Sequence, residues 1–194
     1  MLNYYFKILY HLRQMRSMRR SLSVDAAKTL INAFITSRID YCNSVFSRVA
    51  VIHLRPLHSV LNAAARLIVK KRKYDPITAT IRDVLHYLTI QQRIEYKLCD
   101  LVHKAMHHTA PVYLTELHVL VSIHQGRANL RSARHGDLSV AANKGTTYGS
   151  RSFAVSGTTT SNVLSLSIRE QYLSLGQFRS RLNTELFNRA YYVV

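Results

Sequence analysis

The sequence predicts a mainly α-helical protein: a helical bundle over residues 3–116, then a loop-rich segment, residues 117–194, with short strands and a final helix. Three observations predict it. Apolar residues in the first part recur at spacings near three and four, as in helices that bury one face. Candidate caps stand at the starts of several of these stretches. Beyond residue 117 the composition turns to Gly, Ser, Thr and Val, and the helical period fades.

In order, residues 3–20 carry Tyr5, Ile8, Leu9 and Leu12 at helical spacing and end in the basic string RSMRR. Ser23 is an N-cap for a second helix, and Asp25 in its first turn suits the helix dipole. Leu30, Ile31, Phe34, Ile35, Tyr41, Cys42 and Val45 then form one apolar stripe, with Asp40 off it as a local acceptor. A third helix is expected from Pro56, with Leu57, Val60, Leu61, Ala64, Leu67 and Ile68. Asp75 and Pro76 read as N-cap and first residue of the next, which carries Ile77, Ile81, Val84 and Leu85. Thr89 and Gln92 match a capping box before Ile90, Ile94, Leu98, Leu101 and Ala105, and Pro111 ends that helix. Short strands are expected at Leu138–Val140 and Phe153–Val155, and a last helix over residues 174–189.

Across 194 residues, 47% are hydrophobic and 19% charged, which suits a globular chain with a real core. No run of eighteen apolar residues occurs, so no membrane partner is expected. Two cysteines, Cys42 and Cys99, make no disulfide framework and suit a reducing compartment. Residues 1–24 are basic and free of acids, like a mitochondrial presequence, but they run directly into another helical pattern and read as an ordinary helix.

Charge dominates the functional reading. Lys and Arg number 27 against 10 acids, a net charge of +17, which favours a polyanion such as RNA or DNA. The candidate phosphate contacts fall in three clusters: Arg13, Arg16, Arg19 and Arg20; Arg66, Lys70, Lys71, Arg72 and Lys73; and Arg127, Arg131 and Arg134. Some cations at a helix C-terminus serve only the dipole, yet four in a row from Lys70 to Lys73 exceed that need. Tyr74, Tyr148 and Phe153 stand near basic residues as possible base-stacking platforms or core residues.

Catalytic and metal chemistry find little. The ten acids are scattered, with no two closer than five positions, so no local carboxylate pair can hold paired metal ions. Neither a GxSxG elbow nor a Gly-rich phosphate loop occurs, and no cofactor is implied. Cys99, His103 and His107 fall at i, i+4 and i+8 on one helix face, a weak zinc candidate without an evident fourth ligand.

Several strings resemble one family in order along the chain: MRRSLSVDAAKTLINAFITSRIDYCNSVF, LNAAARLI, IRDVLHYLTIQQRIEYKLCDLVHKAMHHTAPVYL, LRSARHGDLSV, TTYGSRSFAVSG and SLGQFRSRLNTELF. They are similar to the region C-terminal to the catalytic core in polyproteins of non-LTR (LINE-type) retrotransposons. The resemblance implies a helical thumb-and-connector region, reverse transcriptase-like but without the polymerase aspartates. It further implies phosphate-gripping cations, the polymerase core as a partner, and a nuclear or cytoplasmic location. Where the family has a tryptophan and a proline, this chain has Ser161 and Ser165, which removes a packing anchor. Two other readings stand beside this one: a helical protein–protein adaptor, and a translated relic with no selected function.

Overall fold

The computed structural model describes residues 2–142, 145, 149–170 and 172–192, with side chains from Lys7 onward. The side chain of Tyr5, and Tyr148 as a whole, lie outside the described residues. Two compact units divide the chain. The first comprises Met1–Asn43 and Ala50–Ile90, the second Ser44–Val49 and Gln91–Val194. The compositional shift at residue 117 falls inside the second unit. No helix among the described residues is long and apolar enough to cross a membrane.

In the first unit α1 (Leu2–Met18) buries Ile8, Leu12 and Met15, one stripe at i, i+4 and i+7. A 3₁₀ turn, Arg19–Ser21, leads to α2 (Val24–Ile31), whose cap is the expected one: the Ser23 side chain accepts from the Ala26 amide at 3.1 Å. The helix widens into a π turn over Asn32–Thr36 and resumes as α3 (Ser37–Asp40). There the expected stripe fails. Tyr41 turns extended, Cys42 takes a left-handed φ of 53°, and Tyr41, Cys42 and Val45 are all exposed. Periodicity carried the stripe on because no glycine marks the left-handed position.

Next, α4 (Val51–Ile68) begins five residues before Pro56, which sits inside it and is exposed, where the ring costs a hydrogen bond but no buried contact. Its buried residues are Leu54, Val60, Leu61, Ala64, Ala65 and Ile68. A basic turn leads to α5 (Thr78–Thr80) and a second π turn, Ile81–Leu85, closed by His86 at φ 52°. Asp75 does not cap this helix; its carboxylate accepts from the Arg72 amide at 2.7 Å and closes the basic turn instead. Tyr87, two residues past the second π turn, donates its hydroxyl to Asn32 Oδ1 at the start of the first, at 2.6 Å.

The second unit is built on α6 (Ile90–Met106), which buries Ile94, Leu98, Cys99, Val102 and Ala105. Short helices α7 (Val112–Thr115) and α8 (Arg131–Arg134) precede α9 (Phe153–Asn162) and α10 (Leu175–Tyr191). Ser174 and Gln177 form a capping box at the start of α10, which buries Phe178, Leu182 and Leu186. Asp100 of α6, itself 3% exposed, takes Arg179 of α10 at 2.7 Å and Lys104 at 3.0 Å.

The short strands are a correction: none occurs among the described residues, and one isolated antiparallel bridge, Leu120 to Leu138, stands in their place. The Asn162 side chain explains why. Its amide accepts from the Leu138 N–H and donates to the Leu138 carbonyl, both at 2.9 Å, so a side chain replaces the neighbouring strand. Phe153–Val155 opens α9 instead. That helix is poor in helix formers, but Val155, Ser156, Gly157 and Thr158 are buried, and packing overrides propensity. The hydroxyls of Thr158, Thr159 and Thr160 return to carbonyls four residues back, which satisfies them within the helix. Gly157 lets α9 approach α6, since a Cβ there would stand 3.0 Å from Val102. The Ser165 hydroxyl donates to Glu185 Oε2 at 2.5 Å.

Candidate nucleic-acid interface

Two basic clusters about fifty positions apart in the sequence meet in the first unit. Because Ile8, Leu12 and Met15 turn inward, Arg13, Arg16 and Arg20 are left on the outer flank at the basic end of α1. Because Ala64, Ala65 and Ile68 turn inward, Arg66 and the residues after α4 emerge beside it. The result is a cleft of about 380 Å³ lined by Arg16, Arg19 and Arg20 on one side and Arg66, Lys70, Lys71 and Lys73 on the other.

Arg19 makes the join. It is 6% exposed, and its guanidinium donates to three carbonyl oxygens: Leu67 at 2.7 Å, Ile68 at 2.6 Å and Leu22 at 2.6 Å. Leu67 and Ile68 end α4, so Arg19 satisfies two orphan carbonyls and places a cation at the negative end of the helix dipole. Lys70 then adopts φ 57°, and the Lys71 amide returns to the Arg66 carbonyl at 3.0 Å, a left-handed helix stop made without glycine.

The cations in and beside the cleft therefore sort into two groups. Arg19, Arg66 and Lys71 are tied to the protein: Arg66 donates to the Asp75 carbonyl at 3.1 Å, and Lys71 to the Pro76 carbonyl at 3.1 Å and Thr80 Oγ1 at 2.9 Å. Arg13, Arg16, Arg20, Lys70 and Arg72 find no side-chain acceptor among the described residues, and all are exposed. Lys73 lies 5.2 Å from the centre of the Tyr74 ring. The first unit holds only four of the ten acids, Asp25, Asp40, Asp75 and Asp83, so little opposes this field.

In the second unit cations and acids are matched more closely. Arg169 pairs with Asp137, Arg181 with Glu170, Arg189 with Glu185, and Arg179 with Asp100. Arg127, Arg131 and Arg134 belong to this unit, at or near α8, and are exposed. Phe153 meets His118 edge-on at 4.7 Å and is a packing residue.

Cys99 and His103 share a face of α6, with His107 just past its end, but for packing. Cys99 is 1% exposed, and burial pushes its thiol far above the ordinary range. The His103 ring stacks on Phe178 at 4.0 Å with His107 at 4.1 Å, and burial lowers its pKa to about 4. Among the described residues no three His, Cys, Asp or Glu side chains converge as a metal site needs.

Sequence reasoning missed the apolar continuation of the cleft. A second depression, about 560 Å³, lies between α1 and α4 and is lined by Leu9, Tyr10, Leu12 and Arg13. It shares Arg16, Ala63 and Leu67 with the basic cleft. Tyr10, three residues before Arg13, was the available signal. No family model, curated protein or solved structure matches the chain.

Proposed function

We propose that this chain binds nucleic acid by its phosphate backbone, without reading sequence, in the cleft between α1 and α4. One observation carries the reading: two basic clusters remote in sequence converge on one concave surface, where Arg16, Arg20 and Lys70 are exposed and have no side-chain acceptor among the described residues. Phosphates offer the missing acceptors, and release of their counterions supplies the affinity. We further propose that the chain corresponds to the thumb-and-connector region of a non-LTR retrotransposon reverse transcriptase, contributing grip and not polymerase chemistry. The quoted strings support that origin, and the scattered acids support the absence of a two-metal site. Its partners are then RNA or DNA and the polymerase core.

Binding titrations over a range of salt concentrations test the first claim. The origin is tested by reading the DNA immediately upstream in all frames: a polymerase motif bearing paired aspartates supports it, and unrelated coding sequence removes it.

A further inference from the structure

From the geometry of the α1–α4 groove we infer that its nucleic-acid ligand is single-stranded, with bases stacking on Tyr10, beside Arg13 and Arg16, and on Tyr74, next to Lys73. The inference rests on the reading just given and narrows it from any phosphate backbone to one with unpaired bases.

Tyr10 and Tyr74 are 60% and 87% exposed, so both rings are open to a ligand, and unlike the other exposed tyrosines they stand beside the cationic clusters. Each is joined to the track. Tyr10 lines the apolar depression beside Arg13 and Arg16, which follow it at three-residue steps along one flank of α1. Tyr74 follows Lys73, whose ammonium stands over its ring. Ala63 and Leu67 floor both depressions, so cations and apolar surface are continuous.

A duplex hides its bases in the stack and offers phosphates alone. It would use the cations and leave Leu9, Tyr10, Leu12 and Tyr74 idle. A single strand offers phosphates and π-faces together, and an electrostatic track with aromatic platforms is how such strands are held without sequence preference. An anionic membrane supplies charge as well, but rings beside the cations suit flat bases.

The full-length chain is titrated with a fluorescent single-stranded homopolymer and with a duplex of equal length at matched salt. The single strand binds more tightly. Tyr10→Leu and Tyr74→Leu each weaken single-strand binding by about fivefold to about a hundredfold, leave the salt slope unchanged and leave duplex binding unchanged. Tyr10→Phe and Tyr74→Phe restore it, because the ring and not the hydroxyl stacks. Both residues are exposed, and a melting curve of each variant confirms the fold. Equal loss for duplex and single strand, or no loss for either, overturns the inference while phosphate binding by the cleft stands. Binding to phosphatidylserine vesicles with no binding to either nucleic acid overturns both.

Discussion

Arg19 Nε donates to the carbonyl oxygen of Leu67 across 2.7 Å, and through that bond the basic end of α1 is held against the end of α4. The charge is buried without a carboxylate; carbonyl dipoles neutralise it. The cleft exists because this cation is structural.

Arg19→Met is therefore expected to cost about 2–4 kcal/mol, since it leaves the carbonyls of Leu67, Ile68 and Leu22 without their donor. Arg19→Lys recovers little, because one ammonium cannot reproduce the planar fork. Urea unfolding of the two variants measures both; a loss under about 0.5 kcal/mol for the methionine variant contradicts the assignment.

For the proposed ligand, log affinity falls linearly with log salt at about 0.9 per phosphate contact on duplex DNA. Replacing Arg16, Arg20, Lys70, Arg72 and Lys73 by Gln flattens that slope by about two to four units. Replacing Arg127, Arg131 and Arg134 changes it less. Lys71 is left alone, because it staples the turn to Pro76 and Thr80. An unchanged slope in the five-site variant removes the cleft as the binding site.

The two thiols should differ sharply. Cys42 is exposed and reacts with a thiol reagent in the native state, whereas Cys99 reacts only as the chain opens. Cys42→Ser alters stability by no more than about 0.5 kcal/mol. Slow labelling of Cys42 would place it back on a buried face.

Acid should weaken the second unit through His103, before Asp100 is protonated. Burial, reinforced by His107, brings His103 to about 4 in the folded chain, against about 6.5 when unfolded. Between those values the unfolded chain binds the extra proton, so stability falls as pH drops from 6.5 to 4 and that loss is complete below 4. For Asp100, burial raises the pKa, but the hydrogen bonds from Arg179 and Lys104 outweigh it and lower it overall; its contribution is lost as pH falls below 3.8. In melting temperatures measured from pH 7 to pH 4, His103→Leu should show a shallower fall than the parent chain. Burial also lowers His118 in the same unit and His58 in the first, which adds to the fall, whereas burial raises Glu95 and opposes it. Identical profiles would remove His103 from the account.

Gly157→Ala improves helix propensity yet should destabilise by about 1–2 kcal/mol, because the new methyl meets Val102 at 3.0 Å. A gain in melting temperature would show that α6 and α9 have room to part.

Helices with a clean buried stripe were legible: α4 from Val60 to Ile68, α6 from Ile90 to Ala105, and α10 through Phe178, Leu182 and Leu186. Their ends were not. Pro56 looked like a beginning and lies inside a helix, and Cys42 ends one with a left-handed turn that its residue type does not announce. Strand propensity misled at Phe153, where burial around Gly157 decides the conformation. Of the site, the cations were visible but their division was not, because Arg19 and Arg20 differ only in which way the 3₁₀ turn after α1 points them. The encounter of Arg16 with Lys70 depends on how α1 packs against α4, which no local pattern encodes.

The π turns at Asn32–Thr36 and Ile81–Leu85 each hold one residue more than an α turn needs. Such a turn is a reserve of chain length. A codon lost there can be absorbed by tightening the turn, with the faces before and after still in phase. A codon lost inside α4 or α6 would rotate every apolar residue beyond it by about 100°. Tolerance of single-residue deletions in this chain should therefore be concentrated at these two places.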